Sequence, residues 1–268
     1  MPSFTALYSG SSGNASVVQD GGRAILIDIG KNCKQTCLAL EEAGIRPSEL
    51  SGVFITHEHS DHVSGLRVFL KKYPIPVYGG AATLDYLADN GMVPPGAAME
   101  AIDGRCADVG GFGVTAFPTS HDSVGCCGFR VETEKGHVLS LATDLGTVDD
   151  GVYGNLAGAD LVALEANYDK AMLMLGSYPY YLKRRIASER GHLCNDDTAG
   201  VVSRLARGGC RKFALCHLSQ ENNTPMQALT AVRQQLWADG WCGQEEEGLG
   251  GLELVACRRH SLTGTLEF

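Results

Sequence analysis

A dense run of potential metal ligands follows one short apolar segment of the chain. Residues 53–56 (VFIT) are typical of a buried strand, and the next six are His57-Glu-His59-Ser-Asp61-His62. Side chains two residues apart in extended backbone lie on the same side, so His57 and His59 point together. The chain then turns into a helix, which directs Asp61 and His62 to a second spot. Imidazole and carboxylate groups suit zinc, manganese and iron alike, so the segment predicts two adjacent sites for divalent cations.

Two such sites need more ligands, and three further polar residues follow apolar, strand-like segments: His121, Asp144 and His217. Loops at strand ends gather around an open crevice in α/β proteins. A carboxylate can bridge two cations through its two oxygens, which an imidazole cannot do. We therefore expect one cation at His57, His59 and His121, a second at Asp61, His62 and His217, and Asp144 between them. Two cations about 3.5–4 Å apart can hold a hydroxide and stabilise both the attacking and the leaving oxygen of a hydrolysis.

The segments that must position these residues alternate between strand and helix. Short β-prone runs divided by glycine turns fill the first thirty residues, which is typical of a strand meander. Strands are predicted at 5–8, 15–19, 24–29, 53–56, 77–78, 114–117, 129–132, 138–143, 161–165, 213–217, 252–257 and 262–268. Helices are predicted at 32–43, 63–72, 82–90, 179–189, 196–206 and 225–238. Mixed sheets of this kind need helices to cover them.

Composition and charge restrict the class of protein. The 268 residues are 44% hydrophobic, and 22 basic against 31 acidic side chains give a net charge of −9. This apolar content is that of a folded globular protein. The acidic balance gives no overall attraction for nucleic acid or anionic membrane, so any polyanion must be bound at a local site.

The same composition predicts where the protein works. No stretch approaches about 20 apolar residues, and the N-terminus has no basic segment before an apolar run, so we expect no membrane span and no secretion. Ten cysteines without a C-x-x-C pair predict buried thiols in a reducing compartment, the cytoplasm. No repeat or linker divides the chain, which predicts one domain, 1–268. Residues 243–251 contain three consecutive glutamates and predict an exposed loop.

Taken together, the motifs resemble the metallo-β-lactamase superfamily, and in particular its YycJ-like (WalJ) branch. The segments that carry the resemblance, besides 57–62, are 9–14 (SGSSGN), 26–28 (LID), 120–122 (SHD), 191–197 (GHLCNDD) and 217–223 (HLSQENN). The resemblance implies an α/β fold, an αββα sandwich of two mixed sheets flanked by helices. It also implies two divalent metal ions, with zinc first and manganese or iron as alternatives. The implied activity is phosphodiester hydrolysis, as a 5′ to 3′ DNA exonuclease acting on nucleic acid.

Catalytic roles follow from the same resemblance. His192 is similar to the histidine that donates a proton in nuclease-type members, and Glu165 to the carboxylate that orients it. The alternative for His192 is a helix-capping or hydrogen-bonded surface histidine, just before Asn195, a good helix N-cap. Asp61 is expected to accept a proton from the metal-held hydroxide as well as to bind metal. Asp28 is similar to a residue that supports the histidine loop without binding metal.

Two further segments are candidates for binding substrate. The loop 9–14 could present Ser12, Asn14 and backbone N–H groups to a phosphate, although a tight turn explains it equally well. Lys183 and Arg184 belong to a basic run on a predicted helix. Successive helical residues are about 100° apart, so one or two of that run could contact a nucleic-acid backbone, with solvated surface charge as the alternative.

Other functions compete with a phosphodiesterase. A thioester or β-lactam hydrolase on the same fold can use nearly identical ligands. The pairing of Glu165 with His192 and the basic helix favour phosphodiesters. A di-iron redox protein is disfavoured because His59 occupies a position where those relatives generally have glutamate. A binding module with a vestigial site is disfavoured because all seven ligand positions are filled.

Overall fold

A computed structural model of the chain describes residues 1–241 and 251–268. The strands in that part of the chain are β1 (Ser3–Tyr8), β2 (Ala15–Asp20), β3 (Arg23–Ile27), β4 (Leu50–Ile55), β5 (Val77–Gly79), β6 (Met99–Ala101), β7 (Cys106–Val109), β8 (Phe112–Pro118), β9 (Cys127–Thr133), β10 (Val138–Ala142), β11 (Leu161–Glu165), β12 (Lys212–Cys216), β13 (Glu253–Ala256) and β14 (Leu266–Glu267). The helices are α1 (Cys33–Glu42), α2 (Ser60–Val63), α3 (Leu66–Lys72), α4 (Ala81–Asp89), α5 (Asp150–Leu156), α6 (Lys170–Leu175), α7 (Tyr180–Ile186), α8 (Asn195–Arg207) and α9 (Pro225–Ala238), and a 3₁₀ turn spans Pro47–Glu49.

These strands form two mixed sheets of seven strands each. The first sheet has the order β14-β1-β2-β3-β4-β5-β6, and the second has the order β13-β12-β11-β10-β9-β8-β7. Strands β3 to β6 run parallel in the first sheet, and β10 to β13 run parallel in the second. Parallel strands end together at one edge of a sheet, so the loops after β3, β4, β10, β11 and β12 can meet in a shared crevice.

Three apolar layers hold the two sheets and their helices together. Between the sheets, Phe54 stacks on Tyr78 at 4.9 Å and meets Phe129 edge-on at 5.5 Å. On the outer face of the first sheet, α1, α3 and α4 bury residues such as Phe69. On the outer face of the second sheet, α5, α8 and α9 bury residues such as Val202. Each fully buried side chain of this size stabilises the fold by roughly 1.5–3 kcal/mol. The layers therefore run helix, sheet, sheet, helix, as the sequence predicts.

The predicted segments differ from the observed ones in instructive places. The strands predicted at 24–29 and 213–217 end early, at Ile27 and Cys216, because Asp28 and His217 turn into left-handed backbone. The helix predicted at 63–72 begins only at Leu66, as α3, and Val63 is instead the last residue of the separate helix α2. At Gly65 between them, a Cβ would stand 2.1 Å from the Lys31 carbonyl oxygen, so the chain has no room there for a side chain. The strand predicted at 262–268 shrinks to β14, and β6, β7, α5 and α6 were not predicted.

Three further predictions concern the membrane, the cysteines and the loop 243–251, and the described residues bear on each only in part. Within residues 1–241 and 251–268, no helix is long and apolar enough to cross a membrane. The nine cysteines that the structure describes are free thiols, and six of them are buried. The loop predicted at 243–251 lies outside the described residues except for Gly251, which is exposed.

Candidate metal centre

The predicted ligands meet at the edge where the parallel strands of both sheets end. Three residues at this edge adopt left-handed backbone although they are not glycine: Asp28 at φ 62°, Asp144 at φ 57° and His217 at φ 55°. Asp28 directly follows β3, Asp144 lies two residues beyond the end of β10, and His217 directly follows β12. Such a conformation costs about 1–3 kcal/mol and is found mainly at functional sites. It turns the chain sharply at the end of the strand.

One group of ligand atoms comes from His57, His59 and His121, and these atoms all lie within 4.8 Å of one another. His57 follows β4 and His121 follows β8, so each sheet contributes to the group. The Nε2 atom of His57 is buried and has no hydrogen-bond partner among the described residues. A buried polar atom without a partner costs about 1–3 kcal/mol. A cation at this position would satisfy it.

A second group comes from Asp61, His62 and His217, again within 4.8 Å. Asp61 Oδ2 lies 3.5 Å from His62 Nε2 and 3.4 Å from His217 Nε2. Asp61 and His62 are on the short helix α2, which begins directly after His59, so the backbone changes direction between the two pairs as the sequence predicts. Here too the ligand atoms come from both sheets.

Asp144 lies between the two groups. Its Oδ2 is 3.1 Å from His62 Nε2, and its Oδ1 is 3.8 Å from His121 Nε2. The same carboxylate forms a further group of possible ligands with His57 and His62. Its side chain is 2% exposed, and its Oδ2 has no hydrogen-bond partner among the described residues. This is the place that the sequence analysis predicts for a bridging carboxylate.

Carboxylates outside the two groups fix the orientation of their imidazoles. Asp28 Oδ2 accepts a hydrogen bond from His62 Nδ1 at 2.8 Å. Glu165 Oε1 accepts from His217 Nδ1 at 2.7 Å and from His192 Nδ1 at 2.9 Å. An imidazole that donates through Nδ1 keeps the lone pair of Nε2 for a ligand. The sequence predicts the pairing of Glu165 with His192 but not the contact of Glu165 with His217.

Electrostatics at the centre suit a cation. Burial alone would raise the pKa of Glu165, but His192 and His217 beside it lower that pKa to about 2. The pKa of Asp144 is likewise held well below its usual range, because His217 and His62 outweigh the effect of burial. Burial, together with His62, lowers the pKa of His57. Ionised carboxylates beside a neutral, unpartnered imidazole nitrogen form a nitrogen and oxygen donor set that fits divalent zinc, manganese or iron.

An open crevice of about 270 Å³ leads to these residues. Its lining includes charged and polar side chains: His59, Asp61, His121, Asp122, Asp144, His192 and His217. It also includes four residues of α7 and the segment before it: Tyr178, Leu182, Arg185 and Ile186. The candidate ligands are therefore accessible to a molecule from outside.

The chain is similar to known proteins in sequence and fold. Residues 23–218 match the family described as the beta-lactamase superfamily domain. The chain belongs to this superfamily. It is 34% identical to exodeoxyribonuclease YycJ of Bacillus anthracis over 250 residues, which cover 92% of this chain and 90% of that protein. It is 35% identical to exodeoxyribonuclease WalJ of Streptococcus pneumoniae over 241 residues, covering 88% and 89%. The solved structure of the metallo-beta-lactamase fold protein YhfI from Bacillus subtilis has a TM-score of 0.68 at 16% identity, covering 98% of this chain and 99% of that one. The predicted superfamily, YycJ-like branch and αββα fold are confirmed.

His192 lies in the lining of the crevice, where a bound molecule could contact it. Its side chain is 22% exposed, and it lines the crevice. Burial lowers the pKa of His192, but the Glu165 carboxylate raises that pKa overall. The prediction that Asn195 caps the next helix is wrong by one residue, because Cys194 is the N-cap of α8 and accepts a hydrogen bond from the Asp197 backbone N–H. The alternative role of His192 in capping that helix therefore does not apply.

The two serine-loop residues predicted to bind substrate occupy different surroundings. Asn14 is buried within the second group, with Nδ2 3.0 Å from His62 Nε2 and 3.4 Å from Asp61 Oδ2. Its Oδ1 accepts from the Gly10 backbone N–H at 2.8 Å, so the loop is a tight turn closed on itself. Ser12 is exposed and accepts a hydrogen bond from Lys31 Nζ, whereas its neighbour Ser11 lines the crevice.

The basic run on α7 faces the crevice through a different residue from the ones predicted. Lys183 Nζ donates to the Met174 and Gly176 carbonyl oxygens at 2.8 and 2.7 Å, so it connects α7 to the end of α6. Arg184 is exposed on the helix. Arg185 is the basic residue that lines the crevice, and its Nε donates to Asp122 Oδ2. Arg185 is therefore the residue of this run that lines the crevice, and the substrate-binding roles of Lys183 and Arg184 stay predictions.

Proposed function

We propose that this protein is a metal-dependent phosphodiesterase that degrades DNA as a 5′ to 3′ exonuclease. The observation that carries the proposal is the pair of Glu165 and His192 beside two groups of metal-ligand atoms in an open crevice. The names of the two relatives, exodeoxyribonucleases that align over about nine-tenths of the chain, support it. The substrate partner is then nucleic acid, or another phosphodiester.

Seven side chains would hold two divalent cations. His57, His59 and His121 would bind one, Asp61, His62 and His217 the other, and Asp144 both. Zinc is the first candidate for histidine and carboxylate ligands, and manganese or iron would accept the same donors. Bound together, such cations supply Lewis acidity that lowers the pKa of water and offsets the charge of a phosphodiester.

The side chains that line the crevice perform the proton transfers. Asp61 is 22% exposed and accepts a proton from the attacking water. His192 donates a proton to the leaving oxygen, since Glu165 holds its Nδ1 and leaves Nε2 for the substrate. Glu165 is fully buried and does not touch the substrate, so it acts by orienting His192 and His217.

The pair of His192 and Glu165 favours a phosphodiester over a thioester as the substrate. The sugar oxygen that leaves a phosphodiester is a strong base and needs a proton in the transition state, whereas a thiolate leaves without one. A positioned acid such as His192 contributes about 10²–10⁴-fold to such a step. Arg185, with its guanidinium in the crevice wall, fits an anionic substrate as well.

The experiment measures metal content and turnover on the same preparation. Metal-free protein receives zinc, manganese or iron in turn and is offered a 5′-phosphorylated DNA duplex, a single strand, a small phosphodiester, a thioester and a β-lactam. We expect two cations per chain and release of nucleotides from the 5′ end. Turnover of the thioester or the β-lactam with no cleavage of any phosphodiester would overturn the proposal.

We also propose that the chain is a single domain and that it works in the cytoplasm. We treat residues 1–268 as one catalytic domain because both sheets contribute to each group of ligands. We place the protein in the cytoplasm, and the free thiols of the described cysteines support a reducing compartment.

A further inference from the structure

Part of the crevice lining is apolar, although the rest consists largely of charged and polar side chains. Leu182 and Ile186 are four residues apart on α7, which places them on one face of that helix, and Tyr178 lies two residues before the helix begins. On most helices such a stripe packs on the core. Here every residue of α7 keeps some exposure, and all three members of the stripe line the crevice. We call these three residues the α7 stripe.

The α7 stripe is only partly covered by the protein. Tyr178 and Ile186 pack against a small buried cluster of Tyr168, Leu173 and Cys194. Leu182 lies between them along the chain and lines the crevice. An apolar surface of this kind, beside a charged centre, binds a molecule that has an apolar part joined to a charged part.

The α7 stripe is held in place by the segment that also positions a metal-ligand candidate. Arg185 donates to Asp122, and Arg190 Nε donates to the His121 carbonyl oxygen at 3.2 Å. The Gly191 carbonyl oxygen accepts from His121 Nδ1 at 3.0 Å. At the other end of α7, Lys183 is bonded to carbonyl oxygens at the end of α6. The position of the stripe relative to His121 is therefore fixed before any substrate binds.

We propose that the α7 stripe binds the nucleobase of the terminal nucleotide while the phosphodiester lies at the ligand groups in the same crevice. This inference rests on the proposed function. A nucleotide joins a flat, largely apolar base to an anionic phosphate, and the apolar and charged parts of the lining match these two parts. Arg185 adjoins both, since it neighbours Ile186 and donates to Asp122. The crevice volume of about 270 Å³ suits one such unit. Every base has an apolar face, so contact with tyrosine, leucine and isoleucine is independent of sequence.

The test compares DNA ends with and without a base. Two 5′-phosphorylated oligonucleotides differ only in the first nucleotide, which carries thymine in one and is an abasic tetrahydrofuran in the other. The metal-loaded wild-type protein should cleave the thymine end with a kcat/KM roughly tenfold higher, the size of one base contact. The variant L182A should lose this preference by slowing on the thymine end alone.

A matched control has the same substitution on a neighbouring helix. Leu175 on α6 is 88% exposed and is not among the described residues that line the crevice, so L175A should keep the wild-type preference. Both leucines retain solvent exposure, so both variants should fold, which circular dichroism checks. If the wild type cleaves both ends equally, or if L182A slows equally on both, the inference is wrong and the exonuclease stands. If the wild type cleaves neither end, the proposed function itself fails.

Discussion

Asp28→Asn would change the orientation of one candidate ligand without removing any ligand. Asp28 Oδ1 accepts from the Thr56 backbone N–H at 2.9 Å, and Oδ2 accepts from Thr56 Oγ1 at 2.9 Å and from His62 Nδ1 at 2.8 Å. Asparagine has nearly the same shape and also tolerates the left-handed backbone found here. The amide can keep the bond to the Thr56 N–H, but its NH₂ group then faces His62 Nδ1.

The expected loss of cation affinity follows from the single contact between residue 28 and His62 Nδ1. Two donors now meet at His62, unless the imidazole moves its proton from Nδ1 to Nε2, the nitrogen 3.1 Å from Asp144. Without that shift, a hydrogen bond to a charged group is lost, which is worth about 1.5–3 kcal/mol. With it, Nε2 has no lone pair for a cation. Either outcome should weaken cation binding at Asp61, His62 and His217 by about 10–100-fold.

The assay is calorimetric titration of the metal-free variant, with metal content measured after dialysis. The group of His57, His59 and His121 should keep its affinity within a few-fold. Asp20→Asn serves as the control, because Asp20 is a buried carboxylate on β2, outside the groups of ligand atoms that the described residues form. If D28N binds two cations as tightly as the wild type, Asp28 does not set the proton position of His62.

Four further outcomes are expected. His192→Ala should retain both cations but lower kcat by about 10²–10⁴-fold, and depletion of metal in this variant would make His192 a ligand instead. Asp144→Ala should lose or disorder the second cation, since both groups contact this carboxylate; elemental analysis decides. Gly191→Ala should lower both the melting temperature and the activity, because its Cβ would stand 2.2 Å from the Ile186 carbonyl oxygen; an unchanged melting curve would contradict the geometry. Dialysis against a chelator should lower the melting temperature, by the equivalent of about 2.7 kcal/mol for a site filled at 100 times its Kd, and re-addition of metal should restore it.

The metal-ligand candidates were accessible to sequence reasoning because their signals are local. His57, His59, Asp61 and His62 lie within six residues, and their division between two groups follows from extended backbone turning into α2. His121, Asp144 and His217 stand after strands, where side chains of different loops converge in any α/β fold. The layered architecture was accessible for a similar reason, since the apolar strands and amphipathic helices alternate along the chain.

The remaining features depend on contacts that no local pattern encodes. The bond between Glu165 and His217 joins residues 52 positions apart. Which basic residue of α7 faces the crevice depends on how the helix is rotated, and Asp122, 63 positions away, contacts Arg185. Helix α6 spans six residues with one buried side chain, too short a stretch to show periodicity. Asn14 follows a glycine turn, and its burial beside His62 reflects the packing of 9–14 against α2.

Each of the two proposed cation sites draws side chains from both sheets, and neither sheet alone supplies either site. A bound cation would therefore crosslink the first half of the chain, which supplies His57 and Asp61, to the second half, which supplies His121 and His217. Severing the backbone between β6 and β7 would produce two fragments that each lack part of both proposed sites. Cation uptake would then report the reassembly of the two fragments. Damage to the interface between the halves would abolish hydrolysis before either half lost its own secondary structure.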